Sequence, residues 1–204
     1  MLEEQPQRRA RILVAVMDLV ASRGPDGVTL REVARRAGVS LGLVSYHYKS
    51  RSKLFRATLD WIVEQFIEIA SELSQAASSP RARLAFFFLC QEKLLLEQTK
   101  LLTAWFTFVT LGRTDPWVAA RVQEHYVERV EAVRAFLKES MDQGHIRPDL
   151  RPGLTAEDVV ASVEGMGLLW LNRVDVKGIS AHRRRAVKRW LKLLGLDQAP
   201  KDSG

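Results

Sequence analysis

The chain has 204 residues, 47% hydrophobic and 27% charged, a balance that supplies a sizeable core and argues against disorder. Cys90 is the single cysteine, which excludes an internal disulfide or a cysteine zinc cluster; no uncharged run nears the ~18 residues of a membrane span, and Met1 to Arg9 holds no apolar leader segment, so a soluble cytoplasmic protein is expected. The formal charge is +7, and residues 1–56 carry 11 Lys and Arg against 5 Asp and Glu while residues 57–204 carry 20 against 19, the asymmetry expected where phosphate contacts drive association.

The periodicity predicts a first helix over about 7–23, with Ile12, Leu13, Val16, Leu19 and Val20 as its inward stripe and Gly24-Pro25-Asp26-Gly27 as its stop. Residues 29–48 then read as two short helices hinged at Gly38. Val33, Ala34 and Ala37 give the first an apolar face, Gly38 permits a left-handed corner, and Ser40 caps the second, with Val39, Val44 and Tyr48 turned inward. That spacing is a helix-turn-helix. Leu41 and Leu43 are large apolar side chains expected on its outside, which makes sense if DNA covers them.

Ser50 is the expected cap of a long helix in which Phe55, Leu59, Ile62, Phe66, Ile69 and Leu73 recur at three- and four-residue steps. Ser79 and Pro80 open another, whose run from Leu84 to Cys90 is apolar on every side and therefore central. Leu101 to Leu111 is similarly apolar and stops at Gly112; Pro116 and Trp117 begin the next helix, about 117–143, with Val122, Tyr126, Val130, Val133, Leu137 and Met141 on one stripe. Residues 145–153 read as a loop, and Thr155-Ala156-Glu157-Asp158 resembles a capping box before Val159, Val163, Met166, Trp170 and Val174. A last helix near 180–194 sets Val187, Trp190, Leu191 and Leu194 against a basic flank.

These elements predict an all-α fold of about nine helices. The expected organisation is an arm at 1–7, a DNA-binding domain at 8–54, a ligand-binding and dimerisation domain at 55–195 and a tail at 196–204. The motif, its place near the amino end, the run Tyr46-His47-Tyr48-Lys49-Ser50-Arg51-Ser52-Lys53-Leu54 and the helix order resemble the tetracycline-repressor (TetR) family. Thr103 to Phe108 and Glu164 to Leu171 resemble its choline-sensing, betaine-pathway branch. The resemblance implies a homodimeric bacterial transcription regulator, usually a repressor, that binds palindromic operator DNA and releases it when a small molecule enters the carboxy-terminal domain. It implies no cofactor. Two positions depart from the family pattern: Arg51 stands where lysine is usual, and Ser45 where tyrosine is frequent.

By resemblance, Arg31, Leu41, Gly42 and Ser45 approach base edges, and Thr29, Ser40, Tyr46, His47 and Arg51 hold phosphates. The effector candidates are Phe86, Trp105, Phe106, Phe108, Trp117, Tyr126 and Glu164, since a quaternary ammonium fits over an aromatic face with a carboxylate for balance; a hydrophobic effector fits the same apolar helices. Dimerisation falls to Val163, Met166, Gly167, Trp170, Trp190, Leu191 and Leu194 of the last two helices.

Other classes find little support. Ser50-Arg51-Ser52-Lys53 has the Ser-x-x-Lys spacing of some hydrolases without their companion loops, and Gly165-Met166-Gly167 lacks a third glycine and a preceding strand, so no enzyme is expected. His47, His125, His145 and His182 are too scattered for a metal site. The remaining alternatives are a nonspecific nucleic-acid-binding helical protein using His182 to Arg185 as a patch, and an activator on the same fold.

Overall fold

A computed structural model describes residues 4–74, 77–172 and 177–197, and no strand occurs among them. The order is α1 (Glu4–Arg23), a short 3-10 turn (Pro25–Gly27), α2 (Leu30–Ala37), α3 (Leu41–His47), α4 (Arg51–Ser74), α5 (Pro80–Glu97), α6 (Thr99–Leu111), α7 (Pro116–Asp142), α8 (Pro152–Leu171) and α9 (Ile179–Leu194). The all-α reading holds.

Most expected boundaries follow from caps. Ser79 accepts from the Ala82 N–H with Pro80 in the first turn, Ser50 accepts from Lys53 N–H, and Asp115 accepts from the N–H groups of Trp117 and Val118. Three boundaries are corrected. Residues 4–7 belong to α1 and are not an arm, because nothing in Glu4-Gln5-Pro6-Gln7 breaks a helix when proline stands in the first turn. The α8 start lies at Pro152, so Thr155 is buried inside the first turn and caps nothing. Leu196 is buried and its N–H reaches the Leu191 carbonyl, so the chain stays packed past the expected tail boundary. The expected arm residues 1–3, the stripe residue Val174 and tail residues 198–204 lie outside the described residues.

Two compact units result: Met1–Ile67 with Thr99–Val122, and Glu68–Gln98 with Gln123–Gly204. These units do not divide at residue 54/55: α6 and the start of α7 group with the amino-terminal helices, and α4 and α7 each contribute to both units.

In the first unit, Ile12, Leu13 and Val16 of α1 are buried with Val33, Val44, Leu54, Leu59, Leu102, Trp105 and Phe108. Trp105 meets Phe66 edge to face at 5.4 Å, and Phe108 meets Phe55 at 5.7 Å. Asp18 of α1 binds both Arg36 of α2 and Lys100 of α6, each at 2.9 Å. In the second unit, α5 packs on α8 and α9 through Leu84, Phe88, Leu95, Val159, Val163, Met166, Trp170 and Val187. At one point the α5–α8 approach leaves no room for a methyl group: a Cβ on Gly167 would lie 1.8 Å from Gln91 Nε2.

Candidate nucleic-acid interface and effector-domain residues

The helix-turn-helix is built from local bonds. Thr29 caps α2 by accepting from the Glu32 N–H at 3.2 Å, and Gly38 ends it in the left-handed region at φ 66° and ψ 37°. The Val39 N–H reaches back to the Ala34 carbonyl at 3.0 Å, closing a Schellman turn. Ser40 caps α3 by accepting from the Leu43 N–H at 3.1 Å. Each capping hydroxyl accepts through its oxygen and keeps its O–H free to donate to an outside acceptor.

Val44 anchors α3 with no exposed surface, Tyr48 is buried just beyond it, and Leu43 is half-buried. The opposite side presents Leu41, Gly42, Ser45, Tyr46 and His47 to solvent, with Tyr46 79% exposed although its ring is large and largely apolar. A Cβ on Gly42 would meet only Ser40 Oγ at 3.9 Å, so the protein's own packing does not require glycine there. The uncovered side thus sets Leu41 and the Tyr46 ring beside the polar Ser45 and His47.

The cations around the motif sort into two groups. Arg23 and Arg35 both pair with Glu32, at 3.1 and 2.6 Å, and Arg36 pairs with Asp18. Hydrogen bonding from Arg35 holds the Glu32 carboxyl below its ordinary range, against a smaller upward push from burial. Arg31, Lys49 and Lys53 are exposed and hold no ion pair within the described residues. Sequence reasoning singled out Arg31 and missed Lys49 and Lys53, although both stand in the run that carried the family resemblance.

Arg51 is corrected. Its Nε donates to the Val28 carbonyl at 3.0 Å, its Nη2 donates to the Pro25 carbonyl, and the guanidinium lies 4.5 Å from the centre of the Phe55 ring. The planar fork therefore clips the start of α4 to the turn before α2, a task lysine's point charge performs poorly. This accounts for arginine at a position expected to hold phosphate.

The effector candidates divide. Trp105, Phe106, Phe108 and Trp117 lie in the first unit, and Phe86, Tyr126 and Glu164 in the second. Trp105 and Phe108 are closed core, each 1% exposed, Phe106 is half-buried, and the Trp117 face is occupied by the Arg56 guanidinium at 4.9 Å. A cation–π seat on Trp105 is closed, and on Trp117 a protein cation already takes one. In the second unit, Glu164 bonds Arg129 and accepts from the Tyr126 hydroxyl at 3.4 Å, while Phe86 and Phe87 meet edge to face at 5.3 Å. Glu92 is buried and pairs through Oε2 with Arg183, and its Oε1 has no hydrogen-bond partner. Burial pushes the Cys90 thiol up to about 11, so it stays protonated.

The expected dimer face is likewise corrected. Val163, Met166, Gly167, Trp170 and Leu194 are buried within the protomer, because α5 of the same chain packs on both α8 and α9, with His182 of α9 reaching Trp170, while Trp190 and Leu191 are half-buried. The uncovered side of α8 carries Leu154, Ala161, Gly165, Leu168 and Leu169, and Leu193 of α9 is 55% exposed. The basic patch His182 to Arg185 also changes: Arg183 is inward on Glu92, and His182 lies edge to face on Trp170 at 5.7 Å.

Residues 12–58 match the family described as bacterial regulatory proteins, tetR family, and residues 80–194 match the BetI-type transcriptional repressor, C-terminal family. The chain is 25% identical over 185 residues to the HTH-type transcriptional regulator BetI of Serratia proteamaculans, covering 90% of this chain and 88% of that one. It is 27% identical over 169 residues to the regulator of the same name from Cronobacter sakazakii, covering 82% of this chain and 79% of that one. Among solved structures, a putative TetR-family regulator from a Rhodococcus species superposes with TM-score 0.75 at 27% identity, covering 91% of this chain and 98% of its own. A putative transcriptional regulator from Saccharomonospora viridis, in complex with choline, superposes with TM-score 0.80 at 20% identity, covering 92% of this chain and 97% of its own. The chain belongs to the tetR family of bacterial regulatory proteins, with a carboxy-terminal region of the BetI-type repressor family.

Proposed function

We propose that the chain is a cytoplasmic repressor that binds a palindromic operator as a homodimer and leaves it when a small effector binds the second unit. The observation that carries the reading is the exposed ridge of α3, where Leu41, Tyr46 and a glycine with open space around it stand opposite a fully buried Val44. An exposed apolar ridge on a seven-residue helix gains nothing from water. Set in a major groove, Leu41 covers a thymine methyl, Gly42 lets the backbone approach, Ser45 donates or accepts at a base edge, and Arg31 forks onto guanine. Thr29, Ser40, Tyr46, His47, Lys49 and Lys53 hold phosphates on either side.

Two copies would meet through the uncovered side of α8 and α9, with Leu168, Leu169 and Leu193 in contact and Ala161 and Gly165 allowing close approach. The two reading helices would then sit ~34 Å apart, and an effector acts by changing that spacing. Because α4 and α7 contribute residues to both units, they are the elements through which it would act. Operator and effector must weaken each other by the same factor.

For the effector we favour a small quaternary ammonium of the choline class. Support comes from the carboxy-terminal family match, the choline complex of the Saccharomonospora regulator, and the half-buried Glu164 beside Tyr126. A second reading, a hydrophobic effector, is favoured by Phe86, Phe87 and Phe136, whose rings follow one another at 5.3 and 6.3 Å.

The test is selection of bound duplexes from a genomic fragment pool, followed by titration of the selected site with choline. Enrichment of one palindrome, its loss in Arg31→Ala without loss of helicity, and weaker binding with rising choline are expected. Failure to enrich any sequence removes the repressor reading; operator affinity that ignores choline but responds to an acyl chain moves the effector to the second class.

A further inference from the structure

Positive charge without a partner gathers on one more surface. Arg185, Lys188, Arg189 and Lys192 stand at i, i+3, i+4 and i+7 along α9 and line a groove of about 500 Å³, with Asp197 the other lining residue among those described. All four cations are exposed and none holds an ion pair within the described residues. Elsewhere in the same unit Arg81, Lys138, Arg151 and Arg184 are also exposed without an ion pair among the described residues, but they are not gathered in one groove, and other cations are matched. Arg83 is matched by Glu139, Lys93 by Glu72, Arg129 by Glu164, Arg147 by Asp149 and Arg183 by Glu92.

The arrangement has no structural return. Arg185 and Arg189, and Lys188 and Lys192, are like-charge pairs at i,i+4 and oppose the helix they sit on. The helix is held by its other side, where Val187 and Leu194 are buried. A charge pattern that works against its own element and packs nothing invites an outside counter-charge.

The geometry also limits that counter-charge. At 1.5 Å per residue the four α-carbons span roughly 10 Å along the axis, about one Debye length at 0.1 M salt. A monovalent anion would gain little beyond what salt offers, whereas several charges on one small molecule engage several cations together. Two arginine forks and two lysine point charges match phosphate oxygens in both ways. The groove is shallow and open, so the cations rather than enclosure would hold the ligand. A duplex, with one phosphate charge per ~1.7 Å, would run past both ends of the stripe.

We propose that the α9 groove binds a small, multiply charged phosphate anion of the di- or triphosphate kind through Arg185, Lys188, Arg189 and Lys192. The site is separate from the operator-reading residues and from the Glu164 cluster, and stands whether or not the effector reading does. Asp197 opposes the anion and tempers its affinity.

The experiment is calorimetric titration of the full chain with inorganic triphosphate at about 0.1 M monovalent salt. Saturable binding at one site per chain is expected. Joint Arg185→Gln, Lys188→Gln, Arg189→Gln and Lys192→Gln substitution should weaken it at least about tenfold with helicity unchanged, and Asp197→Asn should tighten it about two- to threefold, a gain that misfolding cannot produce. Joint Arg31→Ala and Lys49→Ala should leave it within about twofold, since those cations belong to the other unit. Absence of saturable binding, a fourfold variant that binds as before, or an equal loss in the Arg31 and Lys49 variant would overturn the assignment. So would a scrambled duplex whose binding falls in the fourfold variant as much as triphosphate binding does, because the groove would then belong to nucleic acid.

Discussion

Replacing Gly167 by alanine should destabilise the protein, and should do the opposite once Gln91 is also shortened. The added Cβ would stand 1.8 Å from Gln91 Nε2, 2.9 Å from its Cδ and 3.5 Å from its Cγ. Gln91 is 3% exposed and its α5 neighbours Phe88, Leu94 and Leu95 are buried too, so its amide can yield only by moving within the core. Overpacking of this kind costs about 1–3 kcal/mol, offset by the ~1 kcal/mol by which alanine is a better helix former than glycine. The net is a loss of about 1 kcal/mol, or ~2–4 °C in Tm for a chain of this size. In a Gln91→Ala background every crowding atom is gone, and only the helix-propensity gain remains. There Gly167→Ala should stabilise by about 1 kcal/mol, giving a coupling of about 2 kcal/mol across the cycle. Urea denaturation followed by far-UV circular dichroism, at one fixed protein concentration because self-association shifts apparent stability, measures all four corners. An effect of the same sign in both backgrounds would refute the steric argument.

Gly42→Ala should keep or raise stability by up to ~1 kcal/mol, since the methyl meets nothing closer than Ser40 Oγ at 3.9 Å, while operator affinity measured by fluorescence anisotropy falls at least about tenfold. Arg51→Lys should lower Tm by about 2–5 °C because the bonds to the Val28 and Pro25 carbonyls need the fork; unchanged Tm with retained operator binding would return Arg51 to the phosphate contacts. Burial alone would raise the Asp18 carboxyl, but hydrogen bonds from Lys100 and Arg36 outweigh it and hold it below its ordinary value. Its contribution is therefore present above the unfolded carboxyl's pKa and lost as pH falls through the lower folded one. Asp18→Asn should cost about 1 kcal/mol near neutral pH, with the gap to the unaltered chain closing in that acidic window.

The parts of the molecule legible in the sequence are those specified by neighbours within a turn or two. Thr29, Gly38 and Ser40 act through bonds three to five residues long, so the reading motif follows from local spacing. What stayed hidden was every pairing set by tertiary placement. Arg51 meets carbonyls 23 and 26 residues away, Glu164 meets Arg129 35 residues away, and Glu92 meets Arg183 91 residues away. Periodicity correctly put Val159, Val163, Met166 and Trp170 on one face of α8, but cannot say whether a second copy or the chain's own α5 covers it. The aromatic candidates failed similarly, since Trp105 and a pocket-lining tryptophan have the same sequence signature.

The charge asymmetry read from the chain also changes meaning once partners are known. Pairing orders the cations without removing the excess: Arg23 and Arg35 share Glu32, Arg36 pairs with Asp18, and Arg51 is turned onto backbone carbonyls. Within the helix-turn-helix and the run that follows it, the exposed cations without an ion pair among the described residues are Arg31, Lys49 and Lys53, which flank α3 in the sequence and do not lie on it. Cations on the reading side would attract every duplex equally, whereas in the proposed function cations beside it bring any duplex near and leave discrimination to Leu41, Gly42 and Ser45. The near-neutral count of the remaining residues conceals the opposite arrangement on α9, where four unmatched cations share one groove with a single carboxylate. Net charge by segment located the first surface and was blind to the second, because carboxylates elsewhere in the unit cancel α9 in the sum without lying near it.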